Sequence, residues 1–286
     1  MKTKNCAPEG SSNQRPGSRP FLKWAGGKRW LVAKYLRFMP SDYNTYIEPF
    51  LGSGAMFFAL RPKKAILSDL NPELVDAYRA IKRDWQSFDD QLRRHHDRHS
   101  SQYYYRMRSA RPSDPIERAA RFVYLNRTCW NGLYRVNQRG DFNVPLGSKV
   151  SVCLPGDDFE SVHRRLRPVR LFSSDFEMVI EMAQSGDFIF VDPPYTTLHS
   201  SNGFIKYNEK LFAWSDQVRL HNCLLRAKQR GAFVVATNAD HSSVRSLYSG
   251  TFRVQSLRRV SVIASDSQYR QPIRELLITS GEVETT

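Results

Sequence analysis

Short uninterrupted apolar runs alternate along the chain with segments in which apolar residues return every three or four positions. The runs Thr45–Phe50, Ala65–Asp69, Phe188–Val191, Phe233–Thr237 and Glu275–Thr279 are brief, rich in Ile, Val, Leu or Phe, and closed by a turn residue or a carboxylate. Continuous apolarity of that kind predicts strands buried on both faces. Between them, Leu74, Ala77, Tyr78 and Ile81 recur at helical spacing within Asn71–Lys82, and Asp216–Gln229 reads as another helix. The alternation predicts an α/β fold, with a mainly parallel sheet covered by helices on both faces.

From about Arg83 to Arg167 the pattern changes. Strand signals vanish, and Ile116, Ala119, Ala120, Val123 and Tyr124 form one apolar helical face. This predicts three parts. Residues 1–20, rich in Gly, Ser, Pro, Asn and Lys, form a tail without periodicity. Residues 21–82 and 168–286 form the α/β domain, and 83–167 a small helical domain inserted in it.

Charge sharpens this division. The 286 residues carry 43 Lys and Arg against 28 Asp and Glu, a net charge of +15, which favours a polyanionic partner. Arg93, Arg94, Arg98, Arg106, Arg108, Arg111, Arg118, Arg121, Arg127, Arg135 and Arg139 all fall in the inserted segment. They are interleaved with Tyr103, Tyr104, Tyr105, Trp130 and Tyr134, a mixture suited to nucleic acid. No run approaches the roughly 20 apolar residues that span a bilayer, and the first residues lack a secretory apolar run. The four cysteines are scattered without a Cys-x-x-Cys pair, so neither zinc nor a disulfide scaffold is expected. His95, His96 and His99 read as a polar helix face. The expected setting is cytoplasmic.

Two segments carry chemistry. Glu48-Pro49-Phe50-Leu51-Gly52-Ser53-Gly54 follows a strand and precedes the helical stretch Ala55–Leu60, where glycines permit a tight turn and close approach to a ligand. Asp69 ends the next strand, at the position where an acid accepts hydrogen bonds from ribose hydroxyls; it could equally cap the following helix, as could Asn71. Gly-x-Gly without a phosphate loop suits a nucleoside lacking a pyrophosphate. The second segment is Asp192-Pro193-Pro194-Tyr195, at the tip of Phe188-Ile189-Phe190-Val191. Two prolines remove two N–H donors, leaving a carboxylate and a carbonyl as acceptors beside a flat aromatic face. That combination suits an exocyclic amino group on a planar base.

Together these segments resemble the Dam-type family of DNA adenine-N6 methyltransferases, over nearly the whole chain from Phe21 to about Ser280. Phe21-Leu22-Lys23-Trp24-Ala25-Gly26-Gly27-Lys28 is similar to the family's first motif, and the Glu48–Gly54 loop, the Ser68–Asn71 segment and Asp192–Tyr195 follow in order. The stretch Asn126–Gly147 is close to its DNA-recognition hairpin. The resemblance implies a Rossmann-like methyltransferase sheet with an inserted target-recognition domain, S-adenosylmethionine as methyl donor, no metal, and double-stranded DNA as partner. It implies that Trp24, Lys28, Phe50, Gly52, Asp69, Asp175, Phe176 and Asp192 line the cofactor site, and that Asp192, Pro193 and Tyr195 hold the target base. Lys23 would read the guanine beside the target, Trp130 would wedge into the stack, and Asn131 would contact the orphaned thymine. Leu133 and Pro145 would touch a thymine methyl, Arg135 would bind guanine bidentately, and Asn137 and Asn143 would hold the hairpin on the duplex. GATC is the implied target.

The sequence departs from the family at two positions. Trp130 stands where many relatives carry tyrosine, and Ser148 where some carry a basic residue. The implied mechanism flips the adenine out of the duplex and draws its amino hydrogens out of plane. Three competing readings stand beside it: a cytosine-N4 enzyme, which usually has serine before Pro-Pro-Tyr, an RNA-directed N6 enzyme, and a non-catalytic DNA-binding protein on the same scaffold. The biological setting stays open among protection from a cognate restriction endonuclease acting on the same site, strand marking for repair, and a phage.

Overall fold

The structure, a computed structural model, describes residues 19–24, 28, 31, 39–137, 139–196, 212–260 and 272–281. The expected N-terminal tail lies outside them but for Arg19 and Pro20, as do Ala25, Gly26 and Gly27 of the first motif.

Strands β1 (Tyr46–Glu48), β2 (Ala65–Asp69), β3 (Val169–Ser173), β4 (Phe188–Val191) and β5 (Phe233–Ala239) run parallel. Strand β7 (Pro272–Thr279) runs antiparallel to β5 and to β6 (Arg253–Val260). The seven-stranded order is β3-β2-β1-β4-β5-β7-β6. Chain direction therefore delivers the ends of β1 to β5 to one edge of the sheet, where doubly wound folds bind ligands. Side-chain alternation fills both faces: Phe188 and Phe190 of β4 enter one apolar cluster, Ile189 and Val191 the other. This is the expected α/β fold, a mainly parallel sheet flanked by helices.

Two strands escape the apolar-run criterion, and both lie on the outside of the sheet order. In β3 only Val169 is buried, and β6 carries Arg253, Gln255, Ser256 and Arg258, so neither presents a continuous apolar run.

Helices α1 (Ala55–Leu60) and α2 (Pro72–Arg83) follow the first two strands. The segment after α2 folds as α3 (Trp85–Asp97), α4 (Ser101–Ser109), α5 (Pro115–Thr128) and α6 (Phe159–Leu166). Asn71, Asp84, Ser100, Asp114 and Asp158 cap the starts of α2 to α6 through their side chains. Helix α5 packs on α2 and α3, and Phe88, Leu92, Ala120 and Val123 join the apolar cluster that holds Phe188 and Phe190. The helical segment thus shares a continuous core with one face of the sheet. After β3 come α7 (Phe176–Ile180), α8 (Trp214–Gln229) and α9 (Ser242–Tyr248).

Burial revises part of the basic surface. Arg121 is 4% exposed and Arg127 fully buried, so neither faces solvent. Tyr103 and Tyr104 are likewise core residues, whereas Trp130 and Tyr105 are exposed. His95 does not lie on a polar face: it is buried, stacked on Tyr124 and bonded to the Tyr103 hydroxyl at 2.8 Å. That burial pushes its pKa down to about 4.

Candidate active site and recognition hairpin

Strand β1 ends in Glu48, which is 3% exposed and accepts the Tyr46 hydroxyl at 2.8 Å. Burial pushes its carboxyl up to about 8. Strand β2 ends in Asp69, and its two expected roles separate. Asn71 caps α2, accepting from Glu73 and Leu74 N–H. Asp69 instead accepts the Gly52 N–H at 3.0 Å and the Asn71 N–H at 2.9 Å, tying the glycine loop to the strand tip. Burial raises its carboxyl too. Gly52 sits at φ +48, and a Cβ there would fall 2.8 Å from Trp24 Cδ1, so the indole lies on bare backbone. Trp24 in turn stacks on Tyr134 at 5.7 Å.

On the neighbouring side, Phe50 and Phe176 stack at 5.5 Å. Asp175 caps α7 and is gripped by Arg219 on both oxygens, at 2.6 and 2.9 Å. Those hydrogen bonds hold its carboxyl below the usual range. The Arg219 guanidinium also lies 4.1 Å from the Phe176 ring centre.

Strand β4 delivers Asp192 to the same edge. Its Oδ1 accepts Lys28 Nζ at 2.8 Å and the Thr237 hydroxyl, from β5, at 2.8 Å. Its Oδ2 and the Pro193 carbonyl accept no hydrogen bond from the described residues. Tyr195 donates its hydroxyl to Glu275 Oε2 at 2.7 Å, and Lys28 Nζ stands 4.9 Å from its ring centre. Lys28 therefore meets the Asp192 carboxylate directly.

The hairpin follows α5 through a 3-10 turn at Trp130–Gly132 and closes on bridges Cys129–Leu146 and Val136–Phe142. Trp130, Asn131, Arg135, Asn137 and Pro145 are exposed, and Leu133 and Asn143 half-buried. Asn143 Oδ1 accepts Arg135 Nε at 2.9 Å, which orients the guanidinium. Asn137 Oδ1 accepts the N–H groups of Arg139 and Asp141, shaping the turn. Lys23 joins hairpin and active site: Asn126 pairs with its backbone N–H and C=O at 2.9 and 2.7 Å, and its Nζ donates to the Arg127 carbonyl at 2.9 Å. Desolvation lowers the Lys23 pKa.

Sequence reasoning missed Thr237, Glu275 and Arg219. Glu275 alone left a signal, a single carboxylate in the run Ile273–Ile278, otherwise broken only by Arg274. Among the described residues, one group could hold a cation, Glu177, Glu181 and Cys223, and its carboxylates are bonded to Arg219, Arg226 and Arg230.

Residues 24–263 match the family of D12 class N6 adenine-specific DNA methyltransferases. A type II methyltransferase of Lactococcus lactis subsp. cremoris, M1.LlaDCHI, is 36% identical over 271 residues, covering 92% of this chain and 95% of its own. A DNA adenine methylase of Haemophilus influenzae is 30% identical over 272 residues, covering 92% and 94%. A DNA N-6-adenine-methyltransferase of Escherichia phage P1 is 36% identical over 244 residues, covering 84% of this chain and 32% of its own. With the sheet order, the strand-tip acids and Asp192-Pro193-Pro194-Tyr195 in place, the chain belongs to the D12 class of N6 adenine-specific DNA methyltransferases.

Proposed function

We propose that this enzyme methylates adenine in GATC within duplex DNA, taking the flipped base between Asp192, Pro193 and Tyr195. The observation that carries the reading is the Asp192 carboxylate. One oxygen is anchored by Lys28 and Thr237, and the other accepts nothing from the described residues. An exocyclic amine has its lone pair delocalised into the ring. Acceptors at Asp192 Oδ2 and the Pro193 carbonyl draw its two hydrogens out of plane and localise that lone pair. Tyr195 stacks on the base, offsetting part of the few kcal/mol that unstacking costs, and orientation supplies much of the rate. The aspartate, in place of serine, supports adenine over cytosine.

S-adenosylmethionine, when bound, supplies a methyl group on a positively charged sulfur. The residues fit such a group: Gly52 leaves bare backbone beside Trp24, and the neighbouring Glu48 and Asp69 carboxyls are raised by burial, an environment that a cation relieves. Trp24, Lys28, Phe50, Gly52, Asp69, Asp175 and Phe176 would hold it, with Asp192 at the junction with the base.

Residues 21–82 and 168–286 serve cofactor and chemistry, and 83–167 the target. Arg135, oriented by Asn143, reads guanine through its Nη fork, the commonest specific major-groove contact. Lys23 reads the guanine beside the target. Trp130 fills the vacated stack, Asn131 meets the orphaned thymine, and Leu133 and Pro145 touch a thymine methyl. Asn137 and Asn143 maintain the hairpin on the duplex.

The test is methylation of plasmid DNA by the purified protein with S-adenosylmethionine, read by restriction sensitivity at GATC and by nucleoside mass spectrometry. N6-methyladenine with GATC protection is expected. N6-methyladenine without that protection would overturn the target, and N4-methylcytosine the base. Asp192→Ala should retain DNA binding and lose methylation.

A further inference from the structure

We propose that Glu275 is a positioning residue for the methyl-transfer site, acting by holding the Tyr195 hydroxyl and so fixing the ring against which the target base stacks. This inference rests on the reading of Asp192–Tyr195 as the base-holding segment and adds a residue from a distant strand.

Glu275 lies near the start of β7, in register with Ala239 of β5 and Leu257 of β6. Because β7 runs antiparallel to β5, its beginning meets the end of β5, at the edge where β4 delivers Asp192. The side chain is 2% exposed, and Leu276 and Leu277, which follow it, enter the two apolar clusters. Burying a carboxylate there is costly in desolvation unless partners compensate, so an apolar residue would serve strand packing better. Two of its partners are candidate active-site groups: Tyr195 Oη donates to Oε2 at 2.7 Å, and Lys28 Nζ stands 3.7 Å from the same oxygen. Lys28 is also the residue that anchors Asp192 Oδ1 at 2.8 Å.

Glu275, Lys28, Asp192 and Tyr195 thus form one closed arrangement. The acceptor of the amine and the platform beneath the ring are set relative to each other by a lysine and a glutamate that need not touch the base. The Asp-Pro-Pro-Tyr backbone alone fixes where Tyr195 begins; the hydrogen bond at its far end fixes where the ring lies.

The test compares wild type with Glu275→Ala, Glu275→Gln, Tyr195→Phe and the double variant Tyr195→Phe/Glu275→Ala, using duplex DNA and S-adenosylmethionine. A ring displaced by about 1 Å costs up to about 100-fold, so Glu275→Ala and Tyr195→Phe should each lower kcat roughly 10- to 100-fold with KM for DNA unchanged. Glu275→Gln keeps an acceptor for the hydroxyl and should recover most of the loss. The double variant should be no slower than the slower single one, because both remove the same bond. Should Glu275→Ala fail to fold, Tyr195→Phe and Glu275→Gln carry the test, with near-wild-type kcat in Tyr195→Phe overturning the proposal. Additive losses, or losses in KM alone, would overturn it while leaving the methyltransfer reading intact if the wild type forms N6-methyladenine. A wild type that methylates no adenine would overturn both.

Discussion

Glu48 and Asp192 end adjacent strands at the same edge, yet their surroundings differ. Asp192 has Lys28 at 2.8 Å, whereas Glu48 accepts the Tyr46 hydroxyl and the Phe57 N–H, and burial, with the Asp192 and Asp69 charges nearby, pushes its carboxyl up to about 8. A carboxyl raised on folding contributes stability that is complete below its unfolded value of 4.5 and is lost as pH rises through about 8. Glu48→Gln keeps the acceptor for Tyr46 and removes the titration. In cofactor-free protein, the stability of Glu48→Gln relative to wild type should therefore rise by about 2 kcal/mol between pH 5 and pH 7, read by urea unfolding at both. A difference independent of pH would show that Glu48 ionises normally. Gly132 is a second position where local geometry decides. It lies at φ +65, and a Cβ would fall 2.9 Å from Lys23 Cβ and 3.0 Å from Lys23 Cδ. Gly132→Ala should cost roughly 1–3 kcal/mol of backbone strain and displace Lys23, weakening discrimination at the neighbouring base pair in a methylation assay on single-substitution sites. Residues of this kind were legible by type in the sequence, but their partners were not: nothing near Asp192 in sequence announces Thr237 or Glu275, because the sheet brings them together.

At the scale of elements, legibility followed burial. Strands β2 and β4 match their apolar runs residue for residue, since both faces are covered. Strands β3 and β6, outermost in the sheet, offer little apolar signal, and among the described strands β6 pairs with β7 alone. Helix α5 shows the converse: its apolar face is evident in the sequence, but Arg127 falls among the arginines expected to meet nucleic acid. Arg127 is instead fully buried, donating to the Phe21 and Val152 carbonyls and bidentately to Asp157 at 2.6 and 2.7 Å. It ties the Phe21–Trp24 segment to the helical region, as the Asn126 pairing with Lys23 does two residues on. Arg127→Ala leaves Asp157 and two carbonyls without that partner and should destabilise the protein by roughly 3–5 kcal/mol in urea unfolding. A loss below about 1 kcal/mol would mean that water replaces the guanidinium and that the clamp is dispensable.

Across the whole molecule, charge is sorted by position. Glu48, Asp69, Asp192 and Glu275 meet at one edge of the sheet, while the exposed arginines Arg106, Arg118, Arg135 and Arg139 lie on the helical segment and hairpin. The net charge of +15 was plain from composition; which arginines face solvent was not, since Arg121 and Arg127 had the same sequence context as the exposed ones. This sorting separates three outcomes for arginine removal. An exposed arginine that touches only phosphate contributes counterion release, so Arg139→Ala should lower the slope of log affinity against log salt by about 0.9 and weaken all sequences alike. Arg135, with its Nε held by Asn143, should instead relax discrimination at one base pair by roughly 1–3 kcal/mol. Arg121, which donates to the Met107 and Arg108 carbonyls, should change neither and reduce stability alone. Binding titrations of cognate and single-substitution duplexes from 50 to 200 mM salt distinguish all three. If Arg135→Ala weakens every duplex equally, Arg135 is a phosphate contact, and the proposed reading of guanine by its Nη fork falls.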